Sequence, residues 1–309
     1  MTVHGPKWYP NCTMSDTTQP LALVTGGAGF VGSHLCEQLV AEGYQVISLD
    51  NYFTGSPENH AAGVEYRDGH TKDIARHVSE TPDIIFHLGE YSRIAPSLTE
   101  PAKVWDMNTT GTCAVLEFWR HAKCKLVYVG SSTKFTADQR TATVTGPDRA
   151  PYNFSKAMNS ELVHNYGHWY DLDYSIAYFY NVYGPRERAG QFSGAYGTVV
   201  ETFRQCALSD AKVCQINGTG EQTRAFTHVS DTVDALMLIA QKGNRDEYAI
   251  SAAQVYSLNE IKDMFGLQAE YHAPTKSTRS TGAQDTTKLQ SLGWQQQHQL
   301  TKYIDEAIK

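Results

Sequence analysis

Residues Leu21–Thr25 form a short apolar run between a polar stretch and a glycine cluster, the pattern of a buried strand. Residues 30–42 space their apolar positions as a helix does, and residues 45–49 are a second apolar run that ends at Asp50. A strand, a helix and a strand within about 30 residues make a βαβ unit, whose parallel strands need a right-handed crossover. Further strands are expected at residues 83–88, Lys125–Val129 (125–129) and 174–179, each separated by enough chain for a crossover helix. The expected fold class is therefore α/β, a doubly wound parallel sheet.

Two of the crossover helices are distinctive. One, at residues 101–121, begins with Pro101 in its first turn, where a missing N–H costs nothing. The other, at 154–170, carries Met158, Leu162 and Trp169 along one stripe and Val163, Tyr166 and Tyr170 along another. A surface helix of a monomer needs one apolar stripe, so the second predicts contact with another subunit, and a homodimer is expected. After Asn181 the pattern loosens, with Gly184-Pro185, Gly190, Gly194, Gly197, Gly218 and Gly220, as suits a smaller C-terminal α/β lobe. The expected organisation is an N-terminal extension at 1–20, a dinucleotide-binding sheet domain at 21–185, and a mainly substrate-binding lobe at 186–309.

Charge and composition narrow the partners. Across 309 residues, 26 Lys+Arg against 33 Asp+Glu leave a net charge of −7, which argues against general affinity for nucleic acid or acidic membranes. An anionic small molecule would have to be met by local arginines. No run approaches the roughly 18 apolar residues of a membrane span, and a cytoplasmic location is expected. The six cysteines, Cys12, Cys36, Cys113, Cys124, Cys206 and Cys214, are scattered, without the pairing of a zinc site or the density of a disulfide scaffold. No metal is expected.

The first strand runs into Thr25-Gly26-Gly27-Ala28-Gly29-Phe30-Val31-Gly32. Gly26 permits a tight turn, Gly29 lets backbone approach a pyrophosphate, and Gly32 lets the helix lie close to the strand. The N–H groups at the helix start then face a diphosphate. Asp50, about twenty residues on, can accept both ribose hydroxyls and would repel a 2′-phosphate, so a Rossmann-type site for NAD rather than NADP is expected. Asn51 follows it.

In Pro151-Tyr152-Asn153-Phe154-Ser155-Lys156, the tyrosine and lysine are four residues apart, one helical turn on one face. A neighbouring ammonium and a positive nicotinamide ring would favour the phenolate and so supply a base. Upstream, the strand at 125–129 ends in Gly130-Ser131-Ser132-Thr133, hydroxyls at the C-terminal sheet edge where ligands sit in such folds.

These segments in order, with Phe86-His87-Leu88-Gly89, Asn108 with Gly111-Thr112, Asn181-Val182-Tyr183-Gly184-Pro185-Arg186, Gly218 to Arg224, His228-Val229 and Leu292-Gly293-Trp294, resemble the extended short-chain dehydrogenase/reductases, specifically the nucleotide-sugar epimerase and dehydratase group. The resemblance covers residues 21 to about 300. It implies that NAD takes a hydride from a sugar carbon, with Tyr152 removing the hydroxyl proton, Lys156 anchoring the nicotinamide ribose and Thr133 holding the reacting oxygen. It also implies cofactor contacts from Phe30, Val31, Leu88, Gly89, Asn108 and Tyr180. Ser92 and Asn181 look like sugar or phosphate contacts, and Arg224 like a diphosphate clamp, for which a bidentate guanidinium is suited. A second basic residue for the nucleotide is Lys276 or Arg279.

Several positions depart from that group's pattern. Its 4,6-dehydratases carry an Asp-Glu pair after the active-site threonine, where this chain has Lys134 and Phe135, and a phenyl ring cannot transfer a proton. His70-Thr71 stand where an acidic and an aliphatic residue usually meet adenine. Glu90 and Tyr91 stand where small and polar residues are usual, and Ala225 replaces an aspartate. The leading expectation is a nucleotide-sugar 4-epimerase. The competing readings are a 2-epimerase, a dehydratase with relocated acid and base, a reductase, or a dinucleotide-binding relative without catalysis.

Overall fold

The computed structural model describes residues 19–132, 150–188, 197–274 and 282–308. The expectations at Thr133, Lys134, Phe135, Lys276 and Arg279, and for the extension up to residue 18, lie outside these described residues. Seven parallel strands form the central sheet: β1 (Leu21–Thr25), β2 (Gln45–Asp50), β3 (Val64–Asp68), β4 (Ile84–His87), β5 (Lys125–Ser131), β6 (Tyr174–Phe179) and β7 (Asp246–Ile250). Their order is β7-β6-β5-β4-β1-β2-β3. The chain runs outward from β1 to β2 and β3, then returns to place β4 on the other side of β1. The crevice between β1 and β4 is thus the switch point, where such sheets hold ligands.

Helices cover both faces. On one, α1 (Phe30–Ala41) packs with a later helix, Val229–Lys242, over Val24, Phe86, Val127 and Ala177. On the other, α2 (Gly111–Ala122) and α3 (Pro151–Trp169) cover Leu23, Ile85, Leu126, Tyr128 and Ile176. The strands are buried on both faces, which explains their near-continuous apolar runs. Residues 101–121 are helical as expected but not uniformly α: Pro101–Val104 passes through a π-helical turn, Trp105–Thr110, into α2.

The sheet domain does not end at residue 185. The Val229–Lys242 helix, strand β7 and the residues around Leu289 and Trp294 return to the first core, because their apolar side chains complete the layer over β5 and β6. A second core gathers Tyr183, Val200, Phe203, Ile216, Phe226, Ile261 and Ile304 into the smaller lobe. Of the two stripes on α3, Val163 is buried in the sheet core, whereas Trp169 is 58% exposed and the adjoining Tyr170 47% exposed. No helix among the described residues is long and apolar enough to cross a membrane.

Candidate active site

The turn after β1 is shaped by backbone proximity. Gly26 has φ +77°, and a side chain there would put Cβ 2.9 Å from Gly89 Cα on the facing loop after β4. A Cβ on Gly32 would lie 2.1 Å from the Gly26 carbonyl oxygen, so α1 can start this close to the strand only with glycine. Gly29 caps α1 without a side-chain hydrogen bond, leaving the first-turn N–H groups for an anion. Asp50 ends β2, its carboxylate accepting from Ala28 N at 2.9 Å and Tyr52 N at 2.8 Å. Burial pushes its carboxyl up, and those two N–H groups oppose the shift. Each oxygen keeps further lone-pair capacity for ribose hydroxyls. These features fit an adenine dinucleotide.

A single cavity of about 530 Å³ runs from this turn to the smaller lobe. Gly26, Gly29, Phe30, Val31, Gly32, Asp50, Asn51, Leu88 and Gly89 line one part of it, and Ser92, Tyr152, Lys156, Asn181 and Arg224 another. His70 and Thr71 line it too, beside Gly69. Asn108 and Tyr180 are not in its wall. Asn108 is fully buried, its amide accepting from Tyr91 N at 2.6 Å and donating to Tyr91 O and Ser155 Oγ, both at 3.0 Å. It braces the turn after β4 against α3. Tyr180 is buried and its hydroxyl donates to Gln284 Oε1 at 3.1 Å.

Tyr152 and Lys156 sit in the first turns of α3, 8% and 5% exposed. The tyrosine belongs to a small cluster with Tyr91 and Val104, against which Phe53 and Met107 pack. The Lys156 ammonium lies 4.6 Å from the centre of the Tyr128 ring, donates to Val129 O at 2.5 Å, and pairs with Glu90. Further cavity residues escaped the sequence reading, among them Phe53, Arg93, Glu187, Arg188, Thr198 and Phe226. Arg188 donates to Gly55 O at 3.2 Å, and Arg93 donates to Ser92 O at 3.2 Å. Burial pushes the Glu187 carboxyl up to about 8. Their one sequence clue was Glu187 and Arg188 directly following the Gly184-Pro185-Arg186 segment. Among the described residues, no group of His, Cys, Asp and Glu side chains is arranged to hold a metal ion.

A dinucleotide-shaped crevice at the switch point, continuous with a tyrosine–lysine pair on a helix start, defines the class of short-chain dehydrogenase/reductase-like folds. Residues 22–251 match the NAD dependent epimerase/dehydratase family, and the chain belongs to it. Its cofactor is accordingly NAD. It is similar to a putative UDP-glucose 4-epimerase of Methanocaldococcus jannaschii, 28% identical over 302 residues that cover 93% of this chain and 97% of the relative. It also resembles a UDP-N-acetyl-alpha-D-glucosaminuronate decarboxylase of Bacillus cytotoxicus, 28% identical over 257 residues, 77% of each chain. Among solved structures, the UDP-glucose 4-epimerase of Thermotoga maritima with UDP-glucose superposes with a TM-score of 0.82 at 26% identity, covering 93% of this chain and 97% of that one.

Proposed function

We propose that the protein is a nucleotide-sugar 4-epimerase, with Tyr152 as its acid–base group. The observation that carries this reading is the single cavity that the glycine turn, Tyr152, Lys156 and Arg224 line together. When bound, NAD supplies a reversible acceptor for the hydride of the sugar C4. Tyr152 takes the proton of the 4-hydroxyl as that carbon becomes a ketone, and returns it after the sugar has turned its other face. Lys156 orients the ribose beside that carbon, and Thr133 holds the reacting oxygen by the family resemblance. Asp50, carrying the adenosine ribose, favours NAD over NADP. Ser92, Asn181 and Arg224 hold the sugar and its diphosphate, and the second cation is Lys276 or Arg279.

The relatives named for UDP-sugars make a uridine diphosphate sugar the first choice of substrate. Lys134 and Phe135 stand in place of the Asp-Glu pair that supplies the acid and base of a 4,6-dehydratase. The test is a panel of UDP-, GDP-, CDP- and dTDP-sugars followed by product NMR, mass and NADH absorbance. An epimerase yields a stereoisomer of unchanged mass and no lasting NADH. A lighter product, or NADH formed in step with product, would overturn the reading.

One observation favours a second reading, dehydration with a relocated acid: Glu187 lines the cavity and is pushed up to about 8, so it is a protonated carboxylic acid at neutral pH. Loss of water from the product, abolished by Glu187→Gln, would select it. Of the residues from 186 onward, those of the smaller lobe and its loops serve mainly the substrate, through Arg188, Thr198, Arg224 and Phe226. Exposed Trp105, Trp169 and Tyr170 support a homodimer through the α2 and α3 side, to be checked by sedimentation, and a cytoplasmic location fits the reading.

A further inference from the structure

We propose that Glu90 is a positioning residue that fixes the Lys156 ammonium and neutralises it at the reactive end of the cavity. The proposal rests on Tyr152 and Lys156 being the reactive pair. In the family that the chain resembles, this position is usually small or polar. Here the Glu90 side chain is 3% exposed and that of Lys156 6%. Two charges so deeply buried are tolerated only when paired and hydrogen-bonded.

The surroundings of Glu90 fix its charge. Its Oε1 accepts from Thr112 Oγ1 at 2.9 Å, Tyr128 OH at 3.2 Å and Asn159 Nδ2 at 2.7 Å, while Oε2 faces Lys156. Burial alone would push the carboxyl up, but the Lys156 ammonium, His87 and the hydrogen bonds from Lys156 and Thr112 hold it below the usual carboxylate range. The titratable groups around it are His87 from β4, Tyr128 from β5 and Lys156 from α3. Burial pushes the Tyr128 phenol well up, so it serves as a donor. Burial also drives His87 down to about 4, so it is neutral.

One set of proton positions satisfies the chain behind it. Gly89 N–H donates to Thr25 Oγ1 at 3.0 Å, and the Thr25 hydroxyl to His87 Nδ1 at 2.7 Å. His87 Nε2–H then donates to Thr112 Oγ1 at 3.0 Å, whose hydroxyl hydrogen goes to Glu90. Every donor points toward the carboxylate, which has no proton of its own to give. Glu90 is therefore a fixed negative charge rather than a proton carrier.

Two consequences follow for the cavity. An ammonium has three N–H bonds. Lys156 gives one to Val129 O and one to Glu90, so a single donor is left to aim at the cavity. The ion pair also cancels most of the field that a lone ammonium would exert on its neighbours. An oxidised nicotinamide ring carries a positive charge and a reduced one does not, so Glu90 favours the oxidised cofactor by offsetting the lysine.

The test uses the full chain freed of cofactor, with Glu90→Gln, which keeps the shape and removes the charge. The ratio of the NAD+ dissociation constant to that of NADH is expected to rise about threefold to thirtyfold. An unchanged cofactor ratio overturns the proposal. That ratio needs no substrate, so it stands or falls separately from the epimerase reading. Should Glu90→Gln fail to fold, the variant that also carries Lys156→Met decides: recovery of the fold upholds the pairing, and continued unfolding shows that Glu90 serves the core irrespective of Lys156 and overturns it.

Discussion

The cofactor half of the cavity is made by backbone, and the substrate half by side chains. Around β1 and β2 the decisive facts are a φ of +77° at Gly26, a Cβ that cannot exist at Gly32, and a carboxylate at the end of a strand. Across the cavity, Arg93 comes from the loop after β4, and Glu187, Arg188 and Arg224 come from a loop and a short strand of the smaller lobe; they give it polar groups rather than shape. The first half leaves no room for variation. The second can be retuned by single substitutions, as suits a family whose members share NAD and differ in the reaction they perform.

The comparison can be broken most severely at Gly32. Gly32→Val forces atoms against a backbone oxygen 2.1 Å away, and overpacking on that scale costs about 3 kcal/mol or more. Loss of NAD binding with a lowered melting temperature is expected, and a variant that binds NAD as the parent does would remove the glycine argument. At the border between the halves, Tyr152→Phe is expected to keep fold and cofactor while lowering kcat by about 10²–10⁴-fold. Steady-state rates that retain more than about a tenth of the parent value would remove Tyr152 as the acid–base group.

On the substrate side the effects are smaller and more selective. Arg224→Ala is expected to raise KM about tenfold to a hundredfold with little change in kcat, since a clamp on an unreacting diphosphate acts alike in ground and transition states. Arg224→Lys should recover part of the loss, because it restores charge but not the two-pronged geometry. Kinetics with both variants would detect the opposite pattern, a fall in kcat at constant KM.

The last effect is on stability alone. Glu187 titrates near 4.5 when unfolded and at about 8 when folded, so the folded state holds the extra proton between those values. Its contribution is fully present below about pH 4.5 and is lost as pH rises to about 8. Glu187→Gln should therefore melt increasingly above the parent as pH climbs through that window, and parallel melting curves would show the carboxyl to be ordinary.

The same division explains what could be read from the residues in order. The glycine turn, Asp50 and the Tyr152–Lys156 pair are local patterns, in which spacing alone sets geometry. Strand β3 was missed because Val64–Asp68 lies at the sheet edge with Glu65, Arg67 and Asp68 among its residues, and so lacks an apolar run. Strand β7, Asp246–Ile250, is the other edge and begins with two acids. Glu90 was visible as an unusual residue, yet its partners Thr112, Tyr128, Lys156 and Asn159 lie 22 to 69 positions away, and only the fold brings them to one carboxylate. Asn108 was carried in by resemblance as a cofactor contact, and its amide is instead spent on the Tyr91 backbone and Ser155.

The π-helical turn at Trp105–Thr110 amounts to one surplus residue in an otherwise α-helical stretch. In a regular α-helix one extra residue turns everything beyond it by about 100° about the axis, whereas the wider turn takes the surplus up locally. Were the stretch to tighten into a regular α-helix with all its residues retained, Thr112, whose hydroxyl reaches Glu90 from just past the turn, would face away from it. The wide turn is what keeps a hydroxyl in phase with the charge beneath the active lysine.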